Sequence, residues 1–445
     1  MPKIKLVISD LHLACGHSIF EGFGDSQQSA LDGLLFAASN YGFADHVEDV
    51  ELIINGDCFE FLFMQPHEKQ GITYPATALS KLERVIEGHR QFFDTLRGFI
   101  SQAGRHVTFL IGNHDVELAF KDVQERISEA ICNKPELKER VYFCHTYYYR
   151  PVPDVHIEHG NQHDFWNRII GLWDEKGLPL TLNPGRITLP LGTQYIQEAA
   201  YPINVQYPYF DHFEPAMNLM PQIALLCLLN PEIVITTVQD AMRMLSHSRK
   251  LFVGSSLETE KNPVLLFELA MREFADFREE LVAQHPDFIE PLGETTRIDA
   301  MREFAVMREA LSLPVVEATK AIFVPTAYQM AESTAQGILN FLHKNQSVRY
   351  AIAGHTHMHR IYSSNDDSQI YLNTGTWTTR YALPEPDQIT PELIAWLSKP
   401  DWSAIPLLDK TQLGFALIHA EEGSPSSVNL CFWQGGMNGT YRVLT

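Results

Sequence analysis

Five polar clusters, rich in aspartate, histidine and asparagine, recur along the 445-residue chain, and each follows a short apolar run. In chain order they are Asp10-x-His12, Gly56-Asp57, Gly112-Asn113-His114-Asp115, His159-Gly160 and Gly354-His355-Thr356-His357. Carboxylate, imidazole and amide ligands suit divalent ions such as those of Mn, Fe and Zn. Residues i and i+2 share a face of an extended chain, and a preceding glycine allows a sharp turn close to an ion. The pattern therefore predicts a site for two metal ions, which one carboxylate can bridge at a separation of about 3.5–4 Å.

The elements that must position these clusters follow an alternating pattern of strands and helices. The runs "KIKLVISD", "VELIINGD" and "HVTFLIGNHD" are short and rich in β-branched residues, which is typical of strands. A long helical pattern covers 76–104, and strands return from about residue 347 with "SVRYAIAGHTH", "SQIYLNTGTW", "LGFALIHA" and "SVNLCFWQ". This order predicts an α/β fold in which the clusters meet at the carboxyl ends of strands.

The middle of the chain has a different character, with many prolines and mostly helical patterns. We therefore predict a core formed by 1–185 and 346–445, interrupted by a helical insertion or cap at 186–345. Within the insertion, "MREFADFREEL" (271–281) and "MREFAVMREAL" (301–311) match at eight of eleven positions. This partial repeat predicts two similar packing helices.

Composition limits the classes of partner. The chain has 55 acidic and 34 basic residues, and its formal charge of −21 disfavours non-specific nucleic-acid binding but permits a small phosphorylated substrate. Six cysteines without a C-x-x-C spacing, and an N-terminus without a signal-peptide pattern, predict a cytoplasmic protein with reduced thiols. The apolar stretch 221–238 is interrupted by Asn230, Pro231 and Glu232, so it predicts two packed elements and no transmembrane segment. Peripheral membrane contact stays open.

The ordered set of clusters resembles the calcineurin-like metallophosphoesterase superfamily, with its D-x-H, G-D, G-N-H-[DE], H and G-H-x-H blocks, over residues 4–167 and 348–377. The resemblance implies a four-layer α/β/β/α sandwich and a dinuclear metal-dependent phosphoesterase. It implies one ion held by Asp10, His12, Asp57 and His357, and a second held by Asp57, Asn113, His159 and His355. Asp57 would bridge the ions, a shared hydroxide would attack phosphorus, and His114 would stabilise the phosphoryl charge or protonate the leaving oxygen. Mn is the expected metal, with Fe or Zn as alternatives.

Further polar residues support this set. Members of the superfamily often carry H-G-N-Q-x-D-x-x-N at the fourth block, which implies that Asn161, Asp164 and Asn167 orient the ligand loop or contact substrate. Asp115 is expected to orient His114 or cap the next helix. Four arginines are candidate phosphate clamps, namely Arg168, Arg186, Arg360 and Arg380.

Three functions remain open at this point. The first is hydrolysis of a small phosphorylated metabolite or nucleotide. The second is a lipid-linked pyrophosphatase acting on a UDP-sugar-lipid, because "SDLHL" and "NGDCFEF" also resemble the subgroup that contains UDP-2,3-diacylglucosamine pyrophosphohydrolases. This second function would weaken if 221–238 forms core packing instead of an exposed groove. The third, from another class, is a non-catalytic metal-bound interaction module.

Overall fold

The computed structural model divides the chain into two units, of which the first carries all five polar clusters. The first unit comprises Met1–Gln194, Ala331–Arg380 and Lys410–Thr445, and the second comprises Tyr195–Met330 and Tyr381–Asp409. The residues that the structure describes are 3–16, 19–40, 42–43, 49–68, 70–214, 219–249, 261–266, 270, 309–323, 332–364, 368–402, 404–421, 424 and 426–444.

Sixteen strands are described in these residues. In chain order they are β1 (Lys3–Ile8), β2 (Asp49–Asn55), β3 (Ile72–Thr73), β4 (Arg105–Leu110), β5 (Val141–Phe143), β6 (Tyr148–Val152), β7 (Val155–Glu158), β8 (Ile187–Thr188), β9 (Phe213–Glu214), β10 (Tyr350–Ala353), β11 (His359–Ser363), β12 (Ile370–Thr374), β13 (Tyr381–Ala382), β14 (Leu413–Ala420), β15 (Ser427–Gln434) and β16 (Thr440–Val443). All but β9 and β13 lie in the first unit.

The α-helices of the described residues are distributed over both units. They are α1 (Asp25–Ser39), α2 (Pro75–Gly88), α3 (Arg90–Ile100), α4 (Lys121–Ile131), α5 (Leu191–Tyr195), α6 (Tyr201–Gln206), α7 (Leu219–Leu229), α8 (Pro231–Arg249), α9 (Val315–Ile322), α10 (Glu332–Lys344) and α11 (Pro391–Ser398). Short helical turns of other pitch cover Val116–Ala119, Pro135–Arg140, Asn161–His163, Ile196–Ala200, Pro208–His212 and Pro386–Gln388. The helical pattern predicted over 76–104 is two helices, because His89 leaves the helical conformation between α2 and α3.

Two mixed sheets form the centre of the first unit. The larger has the order β16-β15-β14-β1-β2-β4-β5, and the smaller has the order β11-β12-β10-β7-β6. Strands β1, β2, β4 and β5 run parallel, as do β7, β10 and β12. Parallel strands end at the same edge of a sheet, so the residues that follow them are brought together.

Alternating side chains on these strands produce four layers. On β1, Leu6 packs in the core that contains α1–α4, whereas its neighbour Val7 packs with Ile352 of β10 in the core between the sheets. On the outer face of the smaller sheet, Ala351 packs with Leu342 of α10. The order of layers in the first unit is therefore helices, sheet, sheet and helix, and the predicted α/β/β/α sandwich is confirmed.

The second unit is mainly helical and has its own core. Its boundaries differ from the predicted insertion at 186–345. Helix α10 belongs to the first unit because Ile338 and Leu342 pack on the smaller sheet. Conversely, the segment Tyr381–Asp409 belongs to the second unit because Leu393 and Leu397 of α11 join the core there.

The apolar stretch 221–238 forms parts of two helices, α7 and α8, as the sequence predicted. Ile223, Ala224, Leu225 and Leu226 are buried in the core of the second unit. No helix in the described ranges is long and apolar enough to cross a bilayer. Most of the predicted repeat, 271–281 and 301–308, lies outside the described residues.

Candidate metal centre

The polar clusters lie directly beyond the carboxyl ends of five strands. Asp10 and His12 follow β1, Asp57 follows β2, and Asn113 follows β4. His159 follows β7, while His355 and His357 follow β10. The parallel pairing of these strands thus explains how residues up to 347 positions apart in sequence can converge on one site.

The first group of candidate ligands consists of Asp10, His12 and His357. Their ligand atoms lie within 4.8 Å of one another. Asp10 Oδ1 is 3.2 Å from His357 Nε2, and His12 Nε2 is 3.1 Å from His357 Nε2. His12 Nδ1 donates to the carboxylate of Glu60 at 2.7 Å, so its Nε2 carries a lone pair towards His357.

The second group consists of Asp57, His159 and His355, whose ligand atoms also lie within 4.8 Å of one another. His159 Nδ1 donates to the backbone carbonyl of Asn55 at 2.8 Å, which leaves Nε2 directed at Asp57 Oδ2, 3.1 Å away. The same Oδ2 is 3.9 Å from His12 Nε2 in the first group. Asp57 therefore lies between the two groups, where a bridging ligand would be needed.

Two polar atoms of the candidate ligands are buried without a hydrogen-bond partner. His159 Nε2 is one of them, with Asp57 Oδ2 3.1 Å away. Asn113 Oδ1 is also buried without a hydrogen-bond partner, and its amide nitrogen is directed at Asn167 Oδ1, 3.5 Å away. Buried acceptors without donors are costly unless a proton or cation lies between them. The donor set therefore fits divalent cations.

The backbone of the candidate ligands is held in an unusual conformation. Asp10, His12, Asp57, His355 and His357 all have positive φ, between 50° and 68°. They are five of the six non-glycine residues with positive φ in the described part of the chain. Such conformations cost free energy in non-glycine residues and tend to occur at functional sites.

Two glycines explain how the clusters pack so closely. A Cβ atom at Gly112 would collide with the Asp57 carboxylate, and a Cβ atom at Gly354 would collide with the Asp10 carboxylate. The sequence pattern of glycine before a ligand therefore marks positions where backbone and carboxylate touch.

Glu60 is a site residue that the sequence reasoning missed. It is buried, and its Oε2 lies 2.7 Å from Nδ1 of His12 and 2.8 Å from Nδ1 of His114. Burial opposes ionisation of Glu60, but His114 and His12 lower its pKa to about 2. The available signal was the acid three residues after Asp57 in "NGDCFEF", which lies between two phenylalanines. An acid in such an apolar setting is rarely buried unless it has a partner.

His114 lies at the solvent side of this cluster. Its backbone N–H donates to Asp57 Oδ1 at 2.9 Å, and its ring contacts the His12 ring edge-on at 4.5 Å between centroids. Burial opposes its protonation, yet the charges of Glu60 and Asp57 raise its pKa to about 10. Its side chain is 19% exposed, so part of the imidazole is open to solvent.

The supporting residues predicted from the sequence are found at two places. Asp164 Oδ2 is 3.1 Å from His355 Nε2 and accepts from Asn167 Nδ2 at 2.6 Å. Asn161 donates to the Asn167 carbonyl at 2.9 Å. These contacts connect the three residues with one another and with His355 through Asp164, and their predicted role in orienting the ligand loop stays a prediction.

The contacts of Asp115 contradict one of its two expected roles, which was to cap the next helix. Its buried carboxylate accepts backbone N–H bonds from Cys58 and Gly112, both at 2.8 Å. It makes no side-chain cap on the helical turn Val116–Ala119. Asp115 thus fastens the second cluster to the third through their backbones.

The four arginines differ in position. Arg168 donates to the Gln162 carbonyl, Arg360 donates to the Tyr362 hydroxyl, and Arg186 is exposed. Burial lowers the pKa of His357 to about 4 against the opposing carboxylate of Asp10, and the guanidinium of Arg380 adds to the decrease. The charge of Arg380 therefore acts on one of the candidate ligands.

Comparison with known proteins adds little to this geometry. No family model matches the sequence, and a search of curated proteins gives no match. Among solved structures, a dimetal phosphatase from Danio rerio aligns at 10% identity and a TM-score of 0.34, over 100% of this chain and 98% of its own. A mutant of a cold-active protein tyrosine phosphatase aligns at 11% identity and a TM-score of 0.25, over 100% of this chain and 80% of its own. The phosphopantetheinyl hydrolase from Mycobacterium tuberculosis aligns at 11% identity and a TM-score of 0.23, over 92% of this chain and 95% of its own. TM-scores of this size do not establish a common fold, so the function must be inferred from the site itself.

Proposed function

We propose that this protein is a dinuclear metal-dependent phosphoesterase that hydrolyses a phosphate ester or pyrophosphate bond. The observation that carries the proposal is Asp57 Oδ2, an acceptor that faces His159 Nε2 and His12 Nε2 in two adjacent ligand groups. The first group would hold one ion and the second, with Asn113, the other. When bound, such ions supply the Lewis acidity and the activated water that phosphoester hydrolysis needs.

The chain's own residues supply proton transfer on the leaving-group side. Glu60 accepts from His114 Nδ1, which fixes the imidazole so that Nε2 is directed away from the carboxylate. From that position Nε2–H can donate a proton to the leaving oxygen or stabilise charge on the phosphoryl group. Asp57 Oδ1 accepts from the backbone N–H of His114. This bond keeps a constant separation between the candidate metal ligands and the proton donor.

A small phosphorylated metabolite or nucleotide is the proposed substrate, and Mn the proposed metal, with Fe or Zn as alternatives. The net charge of −21 supports a small substrate over a polyanion. An exposed apolar groove at 221–238 would have favoured the lipid-linked alternative, whereas Ile223–Leu226 are buried in the core of the second unit. The burial of these residues weakens that alternative.

The decisive experiment measures metal-dependent release of p-nitrophenol from p-nitrophenyl phosphate, with Mn, Fe or Zn added and with chelator. We expect turnover with metal, its loss with chelator, and its loss in Asp57→Asn without unfolding. Asp94→Asn, a change at an exposed carboxylate on α3, is the matched control and should retain full activity. Retained activity in Asp57→Asn would overturn the proposal, and metal binding without turnover of any phosphoester would favour the interaction module.

A further inference from the structure

The loop after β12 is bonded to the first ligand cluster. The hydroxyl of Thr376 donates to the backbone carbonyl of Asp10 at 2.8 Å, and the backbone N–H of Trp377 donates to the same carbonyl at 3.0 Å. Thr376 is buried, and Asp10 is fully buried. The peptide group that follows Asp10 is therefore held by two donors from a segment 366 positions later in the chain.

The end of β12 is also bonded to the fifth ligand cluster, through the buried side chain of Asn373. Its Nδ2 donates to the backbone carbonyl of Gly354 at 2.7 Å and to the hydroxyl of Thr356 at 3.1 Å. Gly354 and Thr356 lie on either side of His355, and Thr356 directly precedes His357. Asn373 thus holds the turn that carries both histidines of this cluster.

Two hydroxyl groups complete the link between these clusters. The hydroxyls of Ser9 and Thr374 lie 2.8 Å apart, and Thr374 Oγ1 also donates to the backbone carbonyl of Ala353 at 3.1 Å. All three residues are buried, and Ser9 and Ala353 directly precede the first and fifth clusters. Residues 373–376, which we call the 373–376 connection, therefore join the ends of β1 and β10.

The two strand ends that this connection joins supply the first group of candidate ligands. Asp10 Oδ1 and His357 Nε2 lie 3.2 Å apart, and both residues have a φ of 56°. A non-glycine residue keeps such a conformation only where its surroundings hold it. For Asp10, the hydrogen bond from Thr376 is one of the contacts that hold the backbone in place.

We propose that Thr376 is a positioning residue for the first ion of the metal centre. Its hydroxyl fixes the peptide of Asp10, and with it the carboxylate, relative to the turn that carries His357. The inference rests on the proposed function, because it concerns the affinity of the proposed centre for metal. Thr376 acts through Asp10, which belongs to the first group of ligands and not to the second. Its loss should therefore weaken the binding of one ion of the two.

Calorimetric titration of the metal-free protein with Mn²⁺, or with Fe²⁺ or Zn²⁺ if Mn²⁺ does not bind, tests this without substrate. In Thr376→Val we expect one of the two ions to bind about 10–100-fold more weakly, as is usual when a residue that orients a metal ligand is removed. The variant should fold, because the Asp10 carbonyl keeps its bond from the N–H of Trp377. Thr376→Ser keeps a hydroxyl at this position and should restore the affinity.

Thr319→Val is the matched control. Thr319 is a fully buried threonine of the second unit whose hydroxyl donates to the backbone carbonyl of Val315 at 2.7 Å. This change should leave the affinity for both ions unchanged. Urea unfolding of each variant separates an effect on stability from an effect on metal binding.

If Thr376→Val binds two ions as tightly as the native chain, this inference is wrong and the phosphoesterase proposal is unaffected. Equal weakening of both ions, or no recovery in Thr376→Ser, would also overturn the inference, because the effect would not come from the hydroxyl bonded to Asp10. A native chain that binds none of the three ions would overturn both proposals.

Discussion

Oε2 of Glu60 lies 2.8 Å from Nδ1 of His114, so a buried carboxylate holds an imidazole that is partly exposed. If this pair acts as one unit in proton transfer, removal of either member should lower kcat by about 10²–10⁴. We expect Glu60→Gln and His114→Gln each to show such a loss, and the double variant to be little worse than either.

Steady-state kinetics at saturating metal measures this coupling. Because Glu60 also accepts from His12, metal content must be checked by elemental analysis in each variant. Fully additive losses would mean that the two residues act independently.

Asn167 should tune metal affinity without contacting an ion. Its Oδ1 faces the Asn113 amide nitrogen at 3.5 Å, and its Nδ2 donates to Asp164. We expect Asn167→Ala to weaken metal binding about 10–100-fold, with activity recovered when more metal is added. Measuring activity as a function of metal concentration gives the change in metal affinity. Asn40→Ala, at an exposed cap of α1, is the control, and an equal effect there would contradict the assigned role.

A buried ion pair fixes the segment that carries Glu60. Lys81 is fully buried, and its Nζ donates to the Phe61 carbonyl at 2.9 Å and to Glu68 at 2.6 Å. Lys81→Met should lower the free energy of unfolding by about 3–5 kcal/mol, because it removes one partner of a buried ion pair. A double change, Lys81→Met with Glu68→Leu, should recover part of that loss.

Urea unfolding measures both variants. The exposed pair of Arg126 and Glu83 is the comparison, and Arg126→Met should cost less than about 1 kcal/mol. Equal decreases in the free energy of unfolding for Lys81→Met and Arg126→Met would show that burial does not cause the larger cost predicted for Lys81→Met.

Stability should decrease as pH rises through neutrality, and Glu117 should be a main cause. Burial raises the pKa of Glu117 to about 8, with Lys81 opposing and Glu68 adding to the increase. The folded protein therefore keeps a proton that the unfolded chain releases near its ordinary pKa of 4.5. The stabilisation is fully present below that value and is lost as pH rises through the folded value.

Glu117→Gln should flatten this slope, because an amide does not titrate. The measurement is the free energy of unfolding in urea between about pH 5.5 and 8.5. Identical slopes for the native chain and the variant would assign the pH dependence to other groups.

Local patterns predicted much of the fold. The strands expected at "LGFALIHA" and "SVNLCFWQ" are β14 and β15, residue for residue. The five clusters were predictable for the same reason, since a run of β-branched residues that ends in glycine and a ligand is a local signal. The clusters converge because parallel strands end at the same edge of a sheet.

The remainder depends on contacts between distant residues. Glu60 meets His114 across 54 positions, and Asp115 binds the backbone of Cys58 across 57. Helix α11 joins the second unit through Leu393, which packs with residues some 150–190 positions earlier such as Phe213. No periodicity within a short window encodes such partners, so the sequence alone could not show them.

The left-handed conformation of five candidate ligands has a consequence for how this site could be lost. At each of these positions glycine would fit the backbone better than aspartate or histidine, so replacement should relieve strain while the ion loses a ligand. Selection for a more stable fold alone would therefore tend to remove the candidate ligands.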